Sequence, residues 1–317
     1  MVMKYNVLHI VIVTLALSLG CYSAEARTYR YDGQSSMVGE LEYAVVDANC
    51  NNLHDLARQY NIGYDALMSA NPHLSNDQDL EPGLLVYIPN KIILPQKIKP
   101  QTVTINLPEK RMFYYDDVQK KLFVWPVGVG RIDHPTPEGK MYIAQMRYKP
   151  TWHVPKGVLA EARKNGFTDH PTIMRPGPAN PLGEYAIHLS AQTYLIHSTN
   201  NPDLIGKRNT SGCINLYPEH IADLYQKIHV RSGVEVINIP LKTYLHRGIL
   251  YVERHEPLWR TSAEKQQYDL SLALHHDIEQ IIQAKLKNPV NIVNHGDSVD
   301  NMTEMLQNPV SYPVAIQ

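Results

Sequence analysis

Apolar and polar positions between residues 43 and 89 follow a strand-like pattern, then a helical one, and finally a strand-like pattern again. After Asn52, apolar residues recur every three or four positions, which gives a helix with one apolar stripe and Asn52 as its N-cap. Asn71-Pro72 and Pro82-Gly83 mark breaks in the pattern. It predicts a small α+β unit with the order strand, helix, helix, strand, at residues 43–46, 53–60, 65–70 and 84–88.

The pattern changes after residue 101, where glycine and proline turns separate short runs of alternating apolar and polar residues. Such a series predicts a mainly β unit over residues 101–240, of sandwich or barrel-like form. The predicted strands lie at residues 103–107, 112–115, 122–129, 141–146, 185–189, 194–197 and 234–239. Two helices are predicted among them, at residues 156–164 and from Pro218 onwards, where Ile221, Leu224 and Ile228 share one face.

Residues 241–317 form a C-terminal extension with a weaker pattern. A strand is predicted at residues 250–253, and an amphipathic helix at residues 262–286 is expected to pack against the β unit or a partner. Residues 288–317 contain Asn and Pro with little periodicity, and we expect them to be mobile.

The N-terminal segment has the layout of a secretory signal. Lys4 supplies a positive charge, an apolar run follows at residues 7–19, and Ala24-Glu25-Ala26 offers a small-x-small cleavage site. We therefore predict a signal peptide at residues 1–26 that is cut after Ala26 and releases the exported protein in soluble form. The run is shorter than the roughly 20 apolar residues of a spanning helix. Lipid attachment at Cys21 and an uncleaved anchor are the alternatives.

Composition narrows the possible functions. Thirty Lys and Arg residues nearly balance 31 Asp and Glu residues, so there is no basic excess of the kind that nucleic-acid binding requires. Three cysteines in 317 residues are too few for a disulfide framework. None of the His and Cys spacings has the context of a metal site, so neither a metal nor a cofactor is predicted.

Cys213 is the strongest candidate for a reactive side chain, and His197 lies upstream of it. A thiol attacks as its thiolate, and histidine is the side chain best suited to take the thiol proton near neutral pH. Gly212 lacks a Cβ, so a substrate carbonyl has room to approach the sulfur. The backbone N–H groups of Gly212 and Cys213 are the natural donors to an oxyanion. The run Thr210-Ser211-Gly212-Cys213 therefore predicts a Cys-His nucleophilic site.

Residues 43–89 resemble a LysM domain. The matching positions are, in chain order, Tyr43-x-Val45, Leu56-Ala57-x-x-Tyr60, Leu67-x-x-Ala70-Asn71-Pro72, Pro82-Gly83 and Leu85-x-x-Ile88-Pro89. Residues 48–52 depart from the family, which usually has Gly-Asp-Thr there. The resemblance implies binding to glycans that contain N-acetylglucosamine, such as peptidoglycan. A structural spacer is the alternative, and Cys50 in this loop is expected to be an unremarkable thiol.

Residues 101–240 resemble an L,D-transpeptidase of the YkuD type. The resemblance rests on Thr136-Pro137-Glu138-Gly139, Ile196-His197-Ser198-Thr199 and Thr210-Ser211-Gly212-Cys213-Ile214-Asn215. Periplasmic members of this family also carry a LysM domain in front and a long extension behind. Ser198 and Ser211 depart from the commonest form, which has Gly and His there. The resemblance implies a mainly β catalytic domain that follows a LysM domain.

The resemblance also implies roles for individual residues. Cys213 is the expected nucleophile, His197 the base and later acid, and the carbonyl of Ser198 the group that orients the imidazole. The candidates for substrate binding are Ser211, Asn215 and Arg208. For Asn215 the alternative is to cap the following helix, and for Arg208 it is a solvated surface charge.

The implied substrate is a tetrapeptide stem of peptidoglycan, which loses its terminal D-alanine when the sulfur attacks the third residue. The acyl group then passes to an amine of a neighbouring stem or of an outer-membrane lipoprotein, or to water. Two other classes stay open: a peptidoglycan-binding protein with an inactive catalytic unit, and a Cys-His wall peptidase of the NlpC type. The peptidase is disfavoured because its Cys precedes its His.

Overall fold

The computed structural model describes residues 26–47, 52–74, 80–95, 98–191, 193–246, 249–258 and 312–315. Nearly all of the predicted signal peptide, including Cys21, lies outside these ranges. So do Cys50 and the helix predicted at residues 262–286. Within the described ranges, the helices are α1 Leu53–Gln59, α2 Tyr64–Ala70, α3 Lys156–Lys164 and α4 Pro218–Lys227. None of these helices has both the length and the apolar character needed to cross a bilayer.

The strands of the described chain form one large sheet, one three-stranded sheet and several two-stranded pairs. They are β1 Arg27–Arg30, β2 Met37–Val38, β3 Glu42–Val45, β4 Leu85–Ile88, β5 Ile92–Ile93, β6 Thr102–Asn106, β7 Arg111–Asp116, β8 Lys121–Pro126, β9 Val129–Gly130, β10 Gly139–Tyr148, β11 Trp152–His153, β12 Ile173–Met174, β13 Tyr185–Leu189, β14 Leu195–His197, β15 Arg208–Thr210, β16 Ile214–Asn215, β17 Gly233–Ile237, β18 Leu241–His246, β19 Ile249–Arg254 and β20 Tyr312–Ala315.

The large sheet has nine strands in the order β1-β8-β7-β6-β17-β10-β13-β14-β16. Neighbours are antiparallel except for the parallel pairs β6–β17 and β14–β16. The sheet curls around a core that contains Ile105, Trp125, Ile187 and Ile214. Helix α4 covers this core, and the face predicted for it is buried at Ile221, Leu224 and Ile228. The predicted mainly β class and both predicted helices are confirmed.

The LysM-like unit has the predicted order of strand, helix, helix, strand. Strands β3 and β4 pair antiparallel, and α1 and α2 pack on them around a separate core. Asn52 caps α1 as predicted, because its side chain accepts a hydrogen bond from the N–H of Asp55 at 2.9 Å. Asn71 ties the end of α2 to β4, since its amide donates to the carbonyl of Leu67 and accepts from the N–H of Tyr87.

Both chain ends differ from the sequence prediction. Strand β1 was not predicted, and it pairs with the edge of the sheet at β8. Ala26, the last residue of the predicted signal peptide, is buried on the main core. In the C-terminal extension, the predicted strand lies within β19, but β18 and β20 on either side of it were not predicted. Strand β20 finds its hydrogen-bond partners on β19, and the mobility expected for residues 288–317 stays a prediction.

A buried cluster of ion pairs joins this extension to the catalytic sheet. Arg111 lies 3.0 Å from Glu109 and 2.9 Å from Glu253. Lys242 lies 2.9 Å and 3.0 Å from the same two carboxylates. Ligand-type atoms of Glu109, Glu253 and His255 lie within 4.8 Å of one another. Because two cations already neutralise the two carboxylates, we interpret the group as an ion-pair cluster and not as a metal site.

Candidate active site

The catalytic candidates meet on two neighbouring parallel strands. His197 is the last residue of β14, and Cys213 directly precedes β16. The two strands pair with His197 opposite Asn215, and the carbonyl of His197 accepts from the N–H of Leu216 at 3.0 Å. Both candidate side chains line one cleft. Sheet pairing therefore brings together a base and a thiol that are separated by a long loop in the sequence.

The imidazole of His197 is buried and oriented by the backbone. Its Nδ1 lies 2.5 Å from the carbonyl oxygen of Ser198. A neutral ring that donates from Nδ1 keeps Nε2 as a free acceptor, which is the tautomer a general base requires. Burial lowers the pKa of His197 to about 4, although backbone hydrogen bonds to Ser198 and Pro181 act in the opposite direction. The ring is therefore neutral at pH 7.

Cys213 is partly buried and lines the same cleft as this ring. Burial raises the pKa of its thiol, and a hydrogen bond from the backbone of Leu195 to the sulfur opposes that effect. The resting pair at neutral pH is thus a thiol and a neutral imidazole. A pair in this state carries no charge, so any nucleophilic attack by the sulfur would create charge inside the cleft.

Two threonines fix the loop around the sulfur. The Thr210 hydroxyl donates to the carbonyl of Cys213 at 2.5 Å and accepts from the N–H of Gly212 at 3.2 Å. The Thr136 hydroxyl donates to the carbonyl of Gly212 at 3.0 Å and accepts from the N–H of Gly130 at 2.9 Å. Sequence reasoning gave neither threonine a role, although both lie in the quoted motifs. Their hydroxyls hold the backbone on both sides of the nucleophile.

The two expected oxyanion donors are not equivalent. The N–H of Gly212 already donates to Thr210, whereas the N–H of Cys213 has no hydrogen-bond partner among the described residues. Gly212 has a φ of +97°, and a Cβ there would lie 2.8 Å from the Tyr194 ring. Only glycine fits this conformation and this space. Gly212 therefore shapes the loop, and the N–H of Cys213 is left as the available donor.

The cleft has a volume of about 620 Å³ and opens over both catalytic candidates. Ser211 is exposed and Asn215 is buried, and both line it. The Oδ1 atom of Asn215 has no hydrogen-bond partner within the described ranges. The alternative role of Asn215 as a helix cap is wrong, because the N-cap of α4 is Tyr217, with no side-chain cap bond.

Arg208 was predicted to bind substrate but does not line this cleft, and neither Ser198 nor Gly212 is among its lining residues. Nε of Arg208 donates to the carbonyl of Gly130 at 3.0 Å, and its side chain lines a smaller pocket with Glu138. The cleft wall instead carries Arg147 and His188, neither of which the sequence analysis proposed as a site residue. Burial and the nearby charge of Arg147 lower the pKa of His188. The alternation of inward-facing and outward-facing positions along β10 and β13 was the sequence signal that could have identified these two residues.

Comparison with known proteins agrees with this architecture. A family model described as the L,D-transpeptidase catalytic domain, YkuD, matches residues 100–236, and the LysM model matches residues 51–89. The relatives include three Escherichia coli K12 proteins. Probable L,D-transpeptidase YcfS is 33% identical over 229 residues, which is 71% of each chain. Probable L,D-transpeptidase YbiS is 30% identical over 303 residues, covering 93% of this chain and 94% of that one.

The third relative, probable L,D-transpeptidase ErfK/SrfK, is 32% identical over 259 residues, which cover 80% of this chain and 82% of that one. The matches to YbiS and ErfK/SrfK are both much longer than the catalytic domain. With a LysM domain, a curled catalytic sheet and a His-Cys pair on adjacent parallel strands, the chain belongs to the L,D-transpeptidase family.

Proposed function

We propose that the protein is an L,D-transpeptidase that acts on tetrapeptide stems of peptidoglycan through an acyl-enzyme on Cys213. The observation that supports this most directly is the β14–β16 pairing, which places the thiol and a backbone-oriented imidazole at one cleft. Membership of the L,D-transpeptidase family removes the NlpC-type peptidase from consideration. The inactive wall-binding protein remains as an outcome of the experiment below.

The reaction begins with proton transfer from Sγ of Cys213 to Nε2 of His197. The thiolate attacks the carbonyl of the third stem residue, meso-diaminopimelate, and the N–H of Cys213 stabilises the oxyanion. As the C–N bond breaks, protonated His197 gives its proton to the departing amine of D-alanine, and a thioester remains. Ser198 holds the ring through its carbonyl, which takes the place of a carboxylate.

The second half of the reaction transfers the acyl group. An acceptor amine attacks the thioester carbonyl while His197 takes the amine proton, and the thiol is restored when that proton returns to sulfur. The proposed acceptors are the side chain of a neighbouring stem, which gives a 3-3 crosslink, and a lysine of an outer-membrane lipoprotein. Water as acceptor gives hydrolysis. The resting neutral pair accords with chemistry that creates charge only when a substrate is bound.

We place the protein in the periplasm, exported by residues 1–26, with its LysM domain on glycan strands. Binding there raises the local concentration of stems. Asn215 offers an amide at the floor of the cleft, and Ser211 a hydroxyl at its rim. We assign both to substrate contact. We assign Arg208 only to a substrate contact outside the cleft, at the smaller pocket that it lines.

Intact mass measurement of the exported protein with a disaccharide-tetrapeptide tests the proposal. We expect an adduct equal to the stem without D-alanine, and release of one D-alanine per adduct. Cys213→Ala should give no adduct, whereas the matched control Cys50→Ala should give the wild-type result. No adduct and no D-alanine with folded wild-type protein would favour the inactive wall-binding protein. The mass of the protein itself reports the cut after Ala26 and any lipid on Cys21.

A further inference from the structure

The LysM domain is in direct contact with the catalytic domain on both sides of the nucleophile. Its contact surface consists of α1, the turn after it and the start of α2. On the catalytic side, one contact precedes Cys213 at residues 206–207, and another follows it at residues 217–220. The residues that form these contacts are Arg58, Asn61, Gly63, Tyr64, Asp65, Gly206, Lys207, Tyr217, Glu219 and His220.

The contact after the nucleophile is a charged pair with defined geometry. Nε and Nη2 of Arg58 each donate to one carboxylate oxygen of Glu219, both at 2.8 Å. The guanidinium also lies 5.1 Å from the ring centroid of Tyr217. Burial disfavours the charge on Glu219, but the hydrogen bond and charge of Arg58, together with a backbone hydrogen bond and nearby His220, lower the pKa of this carboxyl. A two-pronged pair that is partly shielded from water fixes both distance and orientation.

The contact before the nucleophile joins the two backbones. A Cβ on Gly206 would lie 2.3 Å from both the Cα of Gly63 and the nitrogen of Tyr64, so only glycine permits this approach. Nζ of Lys207 lies 3.9 Å from the ring centroid of Tyr64, and that ring stacks on His54 at 4.1 Å. The N–H of Asp65 points at the carbonyl of Gly206 at 3.4 Å. The loop is therefore held against the LysM domain along its backbone.

Both contacted segments lead straight into the active site. The loop before β15 contributes Leu204 to the cleft wall, and β15 ends at Thr210, which holds the loop of Cys213. After Cys213, the chain passes through β16, and α4 begins at Pro218, five residues beyond Cys213. The LysM domain thus contacts the chain on both sides of the segment formed by Cys213 and β16. A domain that served only as a tether would need none of these contacts.

We propose that the LysM domain is a positioning element of the catalytic domain, in which Arg58 holds the strand of Cys213 in register with His197 by way of Glu219. In this role the LysM domain affects the chemical step itself, including on substrates that contain no glycan. The proposal goes beyond glycan tethering and rests in part on the proposed function. Arg58 is a positioning residue, since it acts through Glu219 and touches no reacting atom.

The test uses a tetrapeptide stem without sugar, on which tethering has no influence. Arg58→Glu and Glu219→Arg each place like charges at the contact, and we expect each to lower kcat for D-alanine release about tenfold while KM changes little. The double variant Arg58→Glu/Glu219→Arg restores opposite charges and should recover to within about threefold of wild type. Glu81→Arg is the matched control, because Glu81 is an exposed LysM residue whose change in charge equals that of Glu219→Arg.

A second readout does not depend on the substrate. The rate at which iodoacetamide alkylates Cys213, followed by peptide mass from pH 6 to 9, reports how well His197 assists the thiol. We expect about a fivefold loss in the single variants and recovery in the double variant. If a charge reversal prevents folding, Arg58→Lys supplies the comparison, since it keeps the charge but loses the two-pronged bond; it should lower both rates about threefold.

The outcomes separate the two proposals. Unchanged kcat and alkylation in the single variants, or equal losses in the single and double variants, would overturn the positioning role. Wild-type protein that releases no D-alanine, with alkylation that falls in the single variants and recovers in the double variant, would overturn the proposed function and keep the positioning role. Loss of activity only on intact glycan strands would identify the LysM domain as a tether and refute our inference.

Discussion

Acid should destabilise the folded protein through His220, the fully buried histidine in the contact between α4 and the LysM domain. Its Nε2 lies 2.7 Å from Oδ1 of Asn61, and its Nδ1 is buried without a partner among the described residues. Burial lowers the pKa of His220 to about 4, Glu219 and Asp223 act to raise it, and Arg58 acts to lower it. His220→Gln keeps a donor for Asn61 and removes the titration.

The expected size follows from linkage. The unfolded chain binds a proton at position 220 with a pKa of about 6.5, so between pH 6.5 and 4 the unfolded state holds more protons than the folded state. Stability is therefore complete above pH 6.5 and falls as the pH falls. The full effect of the pKa difference is about 3 kcal/mol, of which about 2 kcal/mol is lost between pH 7 and pH 5.

Urea unfolding of wild type and His220→Gln at pH 7 and pH 5, at one ionic strength, measures this difference. The free energy of unfolding of wild type should fall by about 2 kcal/mol more than that of the variant. His229→Gln, at an exposed histidine just beyond α4, is the control and should behave as wild type. If wild type and His220→Gln lose the same free energy, His220 is not held neutral by its site and the reasoning is refuted.

Two further predictions concern the ion-pair cluster and the floor of the cleft. Arg111→Ala leaves the buried carboxylates of Glu109 and Glu253 with one cation fewer. Urea unfolding should show that the free energy of unfolding falls by about 3–5 kcal/mol. A fall of less than about 1 kcal/mol would contradict a tightly coupled cluster. Gly128→Ala places a Cβ 1.9 Å from Oδ1 of Asn215. The rate of D-alanine release should therefore fall more than about tenfold in a protein that still folds. An unchanged rate would exclude Asn215 from the reaction.

The helices could be predicted because their signals are local. Asn52 caps α1 through the N–H of Asp55, three residues away, and Pro218 opens α4 without needing any distant partner. Strands are different, since each needs hydrogen bonds from a neighbour that the local sequence does not name. Strand β1 pairs Arg27 with Val124, and β20 pairs Ala315 with Ile249, so short runs without clear alternation became strands only in the fold.

For the candidate active site too, some features could be predicted from the sequence and others could not. The sequence predicted a base at position 197 and a nucleophile at position 213, because the chemistry of an imidazole and of a thiol belongs to the side chains themselves. The states of these residues were not readable, since burial sets the low pKa of His197 and raises the pKa of the Cys213 thiol. Nor could the sequence tell that Arg208 faces a different pocket while Arg147 lines the cleft.

The sequence alone determined the two kinds of unit in this chain, the helices and the core faces, and it predicted the Cys-His pair. These depend on periodicity, caps and residue chemistry over a few positions. The tertiary structure alone decided that β14 and β16 lie side by side, that an ion-pair cluster fastens the C-terminal hairpin, and that the LysM domain is docked on the catalytic domain. Those features join distant positions, such as Arg58 and Glu219, 161 residues apart, and only folding brings such groups within hydrogen-bond range.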